Sequence, residues 1–185
     1  MPHFRPVNNP RPIALNIIDQ GFLKLPDSWY AGAPGGAVFS RCRRYRYLLW
    51  RRWSAGPSVL FVALNPNRAD AEHTDPTIRR MMGFAADWGY GACLVANLFS
   101  IRASTPAALS TRRGPVGRAT DPWIVHAREQ VALTVACWGN HGRLLGRGRE
   151  VATWLKPCHV LRLTGTGEPA HPLYLPGRLK PVPWE

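Results

Sequence analysis

The stretch Ser58-Val59-Leu60-Phe61-Val62-Ala63-Leu64-Asn65-Pro66 decides how the rest of the chain is read. Val59 to Leu64 is an unbroken apolar run without helical or alternating period, the pattern of a parallel strand buried on both faces. It halts at Asn-Pro, a turn signal. Cys93-Leu94-Val95-Ala96 repeats the pattern and halts at Asn97; Val131 to Trp138 halts at Gly139-Asn140-His141-Gly142; Val160 to Leu163 supplies a fourth run. Each run therefore sets polar groups just past the carboxyl end of a strand. In open α/β sheets that rim is where ligands bind.

Helical signals fill the spaces between the runs. Asp75 or Thr74 caps a helix with Pro76 at its first position, running to about Trp88 with Ile78, Met81, Met82 and Ala85 toward the sheet. Gly89-Tyr90-Gly91 ends it. Its positive start, with Arg79 and Arg80 on the first turns, suits an anion or is ordinary capping. Ser104 to Leu109 reads as a short helix, Asp121-Pro122 caps another through Gln130, and an Arg-rich helix with Arg143, Arg147 and Arg149 follows Gly142. The alternation predicts a three-layer α/β/α sandwich around a mainly parallel four-stranded central sheet. Asn65, Asn97, Asn140, His141 and His171 are the candidates for its rim.

The flanks are simpler. Residues 1–36 read as an N-terminal arm or extension with little regular structure, and 37–185 as a single α/β domain. Ala37 to Trp53 reads as an N-terminal hairpin. Period two puts Tyr45, Tyr47, Leu49 and Trp53 on one face and Arg44, Arg46 and Arg52 on the other. That stretch is a nucleic-acid platform or a sheet edge guarded by charge. Pro181-Val182-Pro183-Trp184 is too proline-rich for an interior strand.

The net charge of the 185 residues is +13, almost all of it from Arg, and there are eight Trp. Arg presents a planar fork that matches phosphate and stacks on rings, so a polyanion such as DNA or a nucleotide is the expected partner. A composition biased toward Arg on a solvated surface would look the same. No run approaches the roughly 20 apolar residues of a membrane span. The start of the chain carries no signal-peptide pattern. Cys42, Cys93, Cys137 and Cys158 are scattered and form no C-x-x-C pair, which fits a reduced, cytoplasmic protein without disulfides. No P-loop and no G-x-S-x-G elbow occurs. Asp70, Glu72, His73 and Asp75 are the one grouping that resembles a metal site, and they also read as a capped, solvated loop. No cofactor and no metal are expected.

In their order, Val59 to Pro66, Leu94 to Asn97, Thr134 to Gly139 and His171 to Leu175 resemble the motifs of the uracil-DNA glycosylase superfamily. Ala63-Leu64-Asn65-Pro66 is similar to its first motif, Gly-x-Asn-Pro or Gly-x-Asp-Pro, with Ala63 in place of the Gly. Asn97 stands where that superfamily places a base-reading Asn. Trp138-Gly139 matches a Trp-Gly at a later strand end. His171-Pro172-Leu173-Tyr174-Leu175 matches part of His-Pro-Ser-Pro-Leu and lacks its Ser. Over its whole length the chain also resembles an uncharacterised bacterial and phage family, which names no activity.

The superfamily resemblance implies a glycosylase-like fold and the release of uracil or a modified pyrimidine by cleavage of an N-glycosidic bond. In that reading His171 stabilises the negative charge that gathers on the departing base. Asn65 orients a water but cannot take its proton, which implies slow turnover. Asn97, with a donor and an acceptor, reads the flipped base. Pro66 and Phe84 flank that base, and Leu175 fills the vacated stack. Arg79, Arg80, Arg102 and Arg143 contact nucleic acid. Two other readings stay open: an enzyme acting on free nucleotides or modified bases in the same pocket, and a nucleic-acid-binding module that has lost catalysis.

Overall fold

The structure, a computed structural model, describes residues 23–67, 72–103, 105, 109, 110 and 113–185. Its elements are α1 (Asp27–Tyr30), β1 (Gly35–Phe39), β2 (Arg46–Arg52), β3 (Ser58–Ala63), α2 (Pro76–Asp87), β4 (Ala92–Asn97), α3 (Thr120–Glu129), β5 (Leu133–Ala136), α4 (Arg147–Leu155), β6 (Cys158–Val160) and β7 (Val182–Trp184). Two 3-10 segments, Asn140–Gly146 and Pro172–Tyr174, follow the third and fourth of the expected strands.

All six residues of β3 are buried, as are all six of β4. The sheet order is β1-β2-β4-β3-β5-β6-β7. β4, β3, β5 and β6 run parallel, with Ala63 opposite Asn97 and Val62 opposite Ala136. β1, β2 and β7 are antiparallel to their neighbours. The sheet is thus seven-stranded and mixed, where the sequence suggested four strands. The apolar runs were legible as strands, but the hairpin and the C-terminal strand join the same sheet and extend it at both sides.

Successive residues of β3 face opposite sides. Leu60 and Val62 pack with α3 and α4 through Ile124, Ala127, Val151 and Leu155. Val59, Phe61 and Ala63 pack with α2 through Ile78, Met81, Phe84 and Ala85. Apolar side chains on both faces explain why the strand sequences show no alternation. The cap of α2 is as expected, with the Asp75 Oδ1 accepting the Ile78 N–H at 2.9 Å. Asp121 is not a cap: α3 starts one residue earlier, and the Asp121 carboxylate pairs with buried Arg147 on α4. Arg147 also donates to the Leu98 carbonyl at 3.0 Å, so it ties both helices to the end of β4.

β2 is not a sheet edge. β4 covers its other side, and Arg46 and Arg51 are buried at 2% and 6% exposure. Charge in this strand is enclosed rather than displayed. Residues 1–22 of the expected arm and most of the expected Ser104–Leu109 helix lie outside the described residues; within 23–36, Leu25 and Trp29 pack into the core near Trp50. Cys93, Cys137 and Cys158 are buried free thiols. Burial pushes the Cys93 thiol up to about 12, so it is an inert core group. No helix among the described residues is long and apolar enough to cross a membrane.

Phe61 lies at the centre of the sheet with no exposed surface. Phe61→Ala should lower the stability to urea by about 3–5 kcal/mol. A loss below about 1 kcal/mol would show that this face of β3 is not the core.

Candidate functional site

The order of the parallel strands reverses at β3: the chain passes from β3 to β4 on one side, then returns to β5 on the other. Helices leave β3 and β5 toward opposite faces, so the loops after these strands part and open a crevice. A cleft of about 590 Å³ lies there. Asn65, Asn97, Trp138, Gly139 and His171 line it together with Asp75 and Ile78 of the α2 start. The three expected residues Asn65, Asn97 and His171 are therefore brought to one site.

Backbone contacts fix the polarity of each. The Asn65 amide nitrogen donates to the Ala103 carbonyl at 2.7 Å and the Pro66 carbonyl at 3.1 Å. Its Oδ1 is the end left for a ligand, an acceptor. His171 begins the 3-10 turn at Pro172, and its Nδ1 accepts the Leu173 N–H at 3.3 Å. An Nδ1 that accepts leaves the neutral ring's proton on Nε2, as a donor. Burial holds the imidazole below its usual pKa, against an opposing pull from the Asp75 carboxylate. The ring is therefore neutral near pH 7.

Glycines let the rim close. Gly139 has φ of +72°, and a Cβ there would stand 3.5 Å from the His171 Cβ. Its N–H donates to the Pro169 carbonyl at 2.7 Å, which draws the His171 segment to the end of β5. A Cβ on Gly142 would meet the Trp138 ring at 2.0 Å. Trp138, 1% exposed, donates from its indole to Glu168 at 2.9 Å, so the cleft wall it forms is held by a hydrogen bond.

Other expected residues lie elsewhere. Phe84 is 2% exposed in the core under α2, with the Arg80 guanidinium over its ring at 4.9 Å, and does not line the cleft. Arg80 also donates to the Leu175 carbonyl, so it latches the His171 segment to α2. Leu175 lines the cleft but is 5% exposed, too enclosed to stand out as a wedge without movement. Arg102 lies over the Phe39 ring at 5.6 Å. Arg143 donates to Glu168 at 3.3 Å and to the Thr166 carbonyl. Arg79 is exposed on α2. None of these four arginines lines the cleft, and Pro66 does not either.

Four cleft residues went unread in this role. Asp75 was recognised as a cap, but one carboxylate oxygen is enough for that. Its other oxygen has no hydrogen-bond partner among the described residues, and the residue lines the cleft. Arg162 follows β6 on the same rim, so strand-end placement would have found it. Tyr174 is 82% exposed, with its ring 5.9 Å from that of His171. Arg46 lines the cleft from β2 and donates to the Asn97 Oδ1 at 3.4 Å. Among the described residues no three His, Cys, Asp or Glu side chains gather closely enough to hold a metal ion. Asp70, in the expected carboxylate grouping, lies outside the described residues.

Residues 46–173 match a family model whose description is a protein of unknown function, a span that encloses Arg46, Asn65, Asn97 and His171. No curated protein and no solved structure matches the chain.

His171 gives the site a pH signature. Its folded pKa lies below the ordinary 6.5, so the unfolded chain binds this proton more readily. The stability it contributes is complete above about pH 6.5 and is lost as pH falls from there through the folded value. Urea titrations between about pH 7 and 5 should show this acid limb, and His171→Gln should flatten it. An equal limb in the variant would assign the effect to another group.

Proposed function

We propose, for a chain that belongs to the family described as Protein of unknown function (DUF1643), a glycosylase-like hydrolase that releases uracil or a modified pyrimidine base from DNA. One observation carries the reading: a neutral His171 with its donor on Nε2 and an Asn65 with its acceptor on Oδ1 meet in one cleft at parallel strand ends. N-glycosidic cleavage needs that pair of opposite polarities. The glycosylase-like layering of sheet and helices is part of the proposal.

In this mechanism the bond from the sugar C1′ to the base nitrogen breaks, and its electron pair leaves with the base. The His171 Nε2–H donates to a base carbonyl and stabilises that charge, as a neutral imidazole can. A water oriented by the Asn65 Oδ1 adds to C1′. Asp75, the carboxylate of the same cleft, takes the proton that Asn65 cannot accept. Tyr174, exposed beside His171, supplies the ring on which the flipped base stacks. Arg79, with Arg162 on the rim, meets phosphate.

The free-nucleotide alternative gains from one observation: the guanidinium groups of Arg80, Arg102 and Arg143 are engaged by rings, carbonyls or Glu168 of the protein itself. Salt separates the two. Binding to DNA should weaken with a log-log slope of about −0.7 to −0.9 per phosphate contacted. A flat slope with base release from free nucleotides would favour the alternative.

The test is base release from oligonucleotides carrying uracil or modified pyrimidines. Asn65→Ala and His171→Ala should each cut the rate by about 10²–10³, with DNA affinity changed far less. Asp75→Asn keeps a good helix cap, so it should lower the rate with little loss of stability. A wild-type protein that binds DNA and releases no base from any such substrate would make this a binding module.

A further inference from the structure

Asn97 is expected to read a base edge with both a donor and an acceptor, but its acceptor is already engaged. Arg46 and Asn97 are each 2% exposed, and the Arg46 Nη2 donates to the Asn97 Oδ1 at 3.4 Å. A guanidinium has donors and no acceptor. The amide atom that faces it must therefore be the oxygen. Turning the amide over would set its N–H groups against the N–H groups of a cation that is itself 2% exposed, a contact that burial makes costly. The Arg46 position is itself fixed from the backbone, whose N–H donates to the Ser100 carbonyl at 2.9 Å. The Asn97 amide nitrogen is left without a protein partner among the described residues, in a side chain that lines the cleft.

We propose that Arg46 is a positioning residue that locks the Asn97 amide with its nitrogen toward the cleft, so that the site selects a base bearing a carbonyl over one bearing an exocyclic amine at the same place. The inference rests on the base-binding reading of the cleft and adds what sets its selectivity. A carbonyl oxygen accepts from the Asn97 nitrogen. An amine there meets donor with donor and leaves both groups buried and unpaired. Nothing local to Asn97 imposes this; a lone Asn swings its amide to suit either partner.

The test compares the affinities of 2′-deoxyuridine and 2′-deoxycytidine, which differ in this group, by calorimetric titration of the intact protein. Wild type should favour deoxyuridine by about 10-fold or more, the usual consequence of one mispaired buried group. Arg46→Met, which frees the amide to rotate, should bring the ratio within about 3-fold while deoxyuridine still binds. Arg46→Lys, which keeps a donor against the Asn97 oxygen, should retain the preference. Asn97→Asp keeps an acceptor for Arg46 and turns a second acceptor to the cleft, so it should reverse the preference even if Arg46→Met fails to fold. Binding of both nucleosides to wild type with no preference would overturn the role of Arg46 while leaving a base site. So would a wild-type ratio that persists in folded Arg46→Met or in Asn97→Asp. Binding of neither nucleoside to wild type would overturn the base-binding reading and this inference with it.

Discussion

The reversal of strand order at β3 is the constraint on which the site depends. A parallel sheet whose connections all run one way keeps its helices on one face and its strand-end loops packed together. Here the β3 connection crosses the face that holds α2, while the β4 and β5 connections cross the other. The loops after β3 and β5 part, and Asn65 and Gly139 both line the gap. The seven-stranded sheet serves as a frame for this parting. Its central strands β3 and β4 are buried along their whole length.

Within the gap, Asn65, Asn97 and His171 each have one end held by the protein and the other left for a ligand. Carbonyls hold the Asn65 nitrogen, a backbone N–H holds the His171 Nδ1, and Arg46 holds the Asn97 oxygen. These contacts choose donor or acceptor in advance. Preorganised dipoles of this kind stabilise a developing charge without having to reorient when it forms. The same contacts explain the neutral His171: a charged ring would lose its Leu173 bond and sit half-buried.

Much of this was legible in the sequence where one physical reading fits the residues. Val59 to Leu64 has no polar face, so only a strand buried on both sides suits it. Asn65 and Asn97 were identifiable because strand ends fix where a residue stands, and His171, which lies well past the end of β6, through the His-Pro motif. Phe84 was misplaced for a reason also visible in the sequence: it shares the helical stripe of Ile78, Met81 and Ala85, and a core-facing residue cannot also stack on a ligand. Arg46 was not legible. An Arg-Tyr-Arg-Tyr alternation reads the same whether the Arg meets water or is covered by β4, and only the tertiary pairing decides. Asp121 fits a cap by local rules, but a partner distant in sequence, Arg147, engages it instead. Tyr174 carries no local signal, since nothing in the residues around it says whether its ring is buried or exposed.

The central claim is that Asn65, Asn97 and His171 form one ligand site with fixed polarity. The most direct measurement is nitrogen NMR of the His171 ring and the two side-chain amides, free and with an oligonucleotide bearing an uncleavable uracil nucleotide. Free His171 should be protonated at Nε2 and bare at Nδ1, and the shifts of all three side chains should saturate together. A ring protonated at Nδ1, or saturable binding that moves arginine signals and leaves these three unchanged, would contradict it.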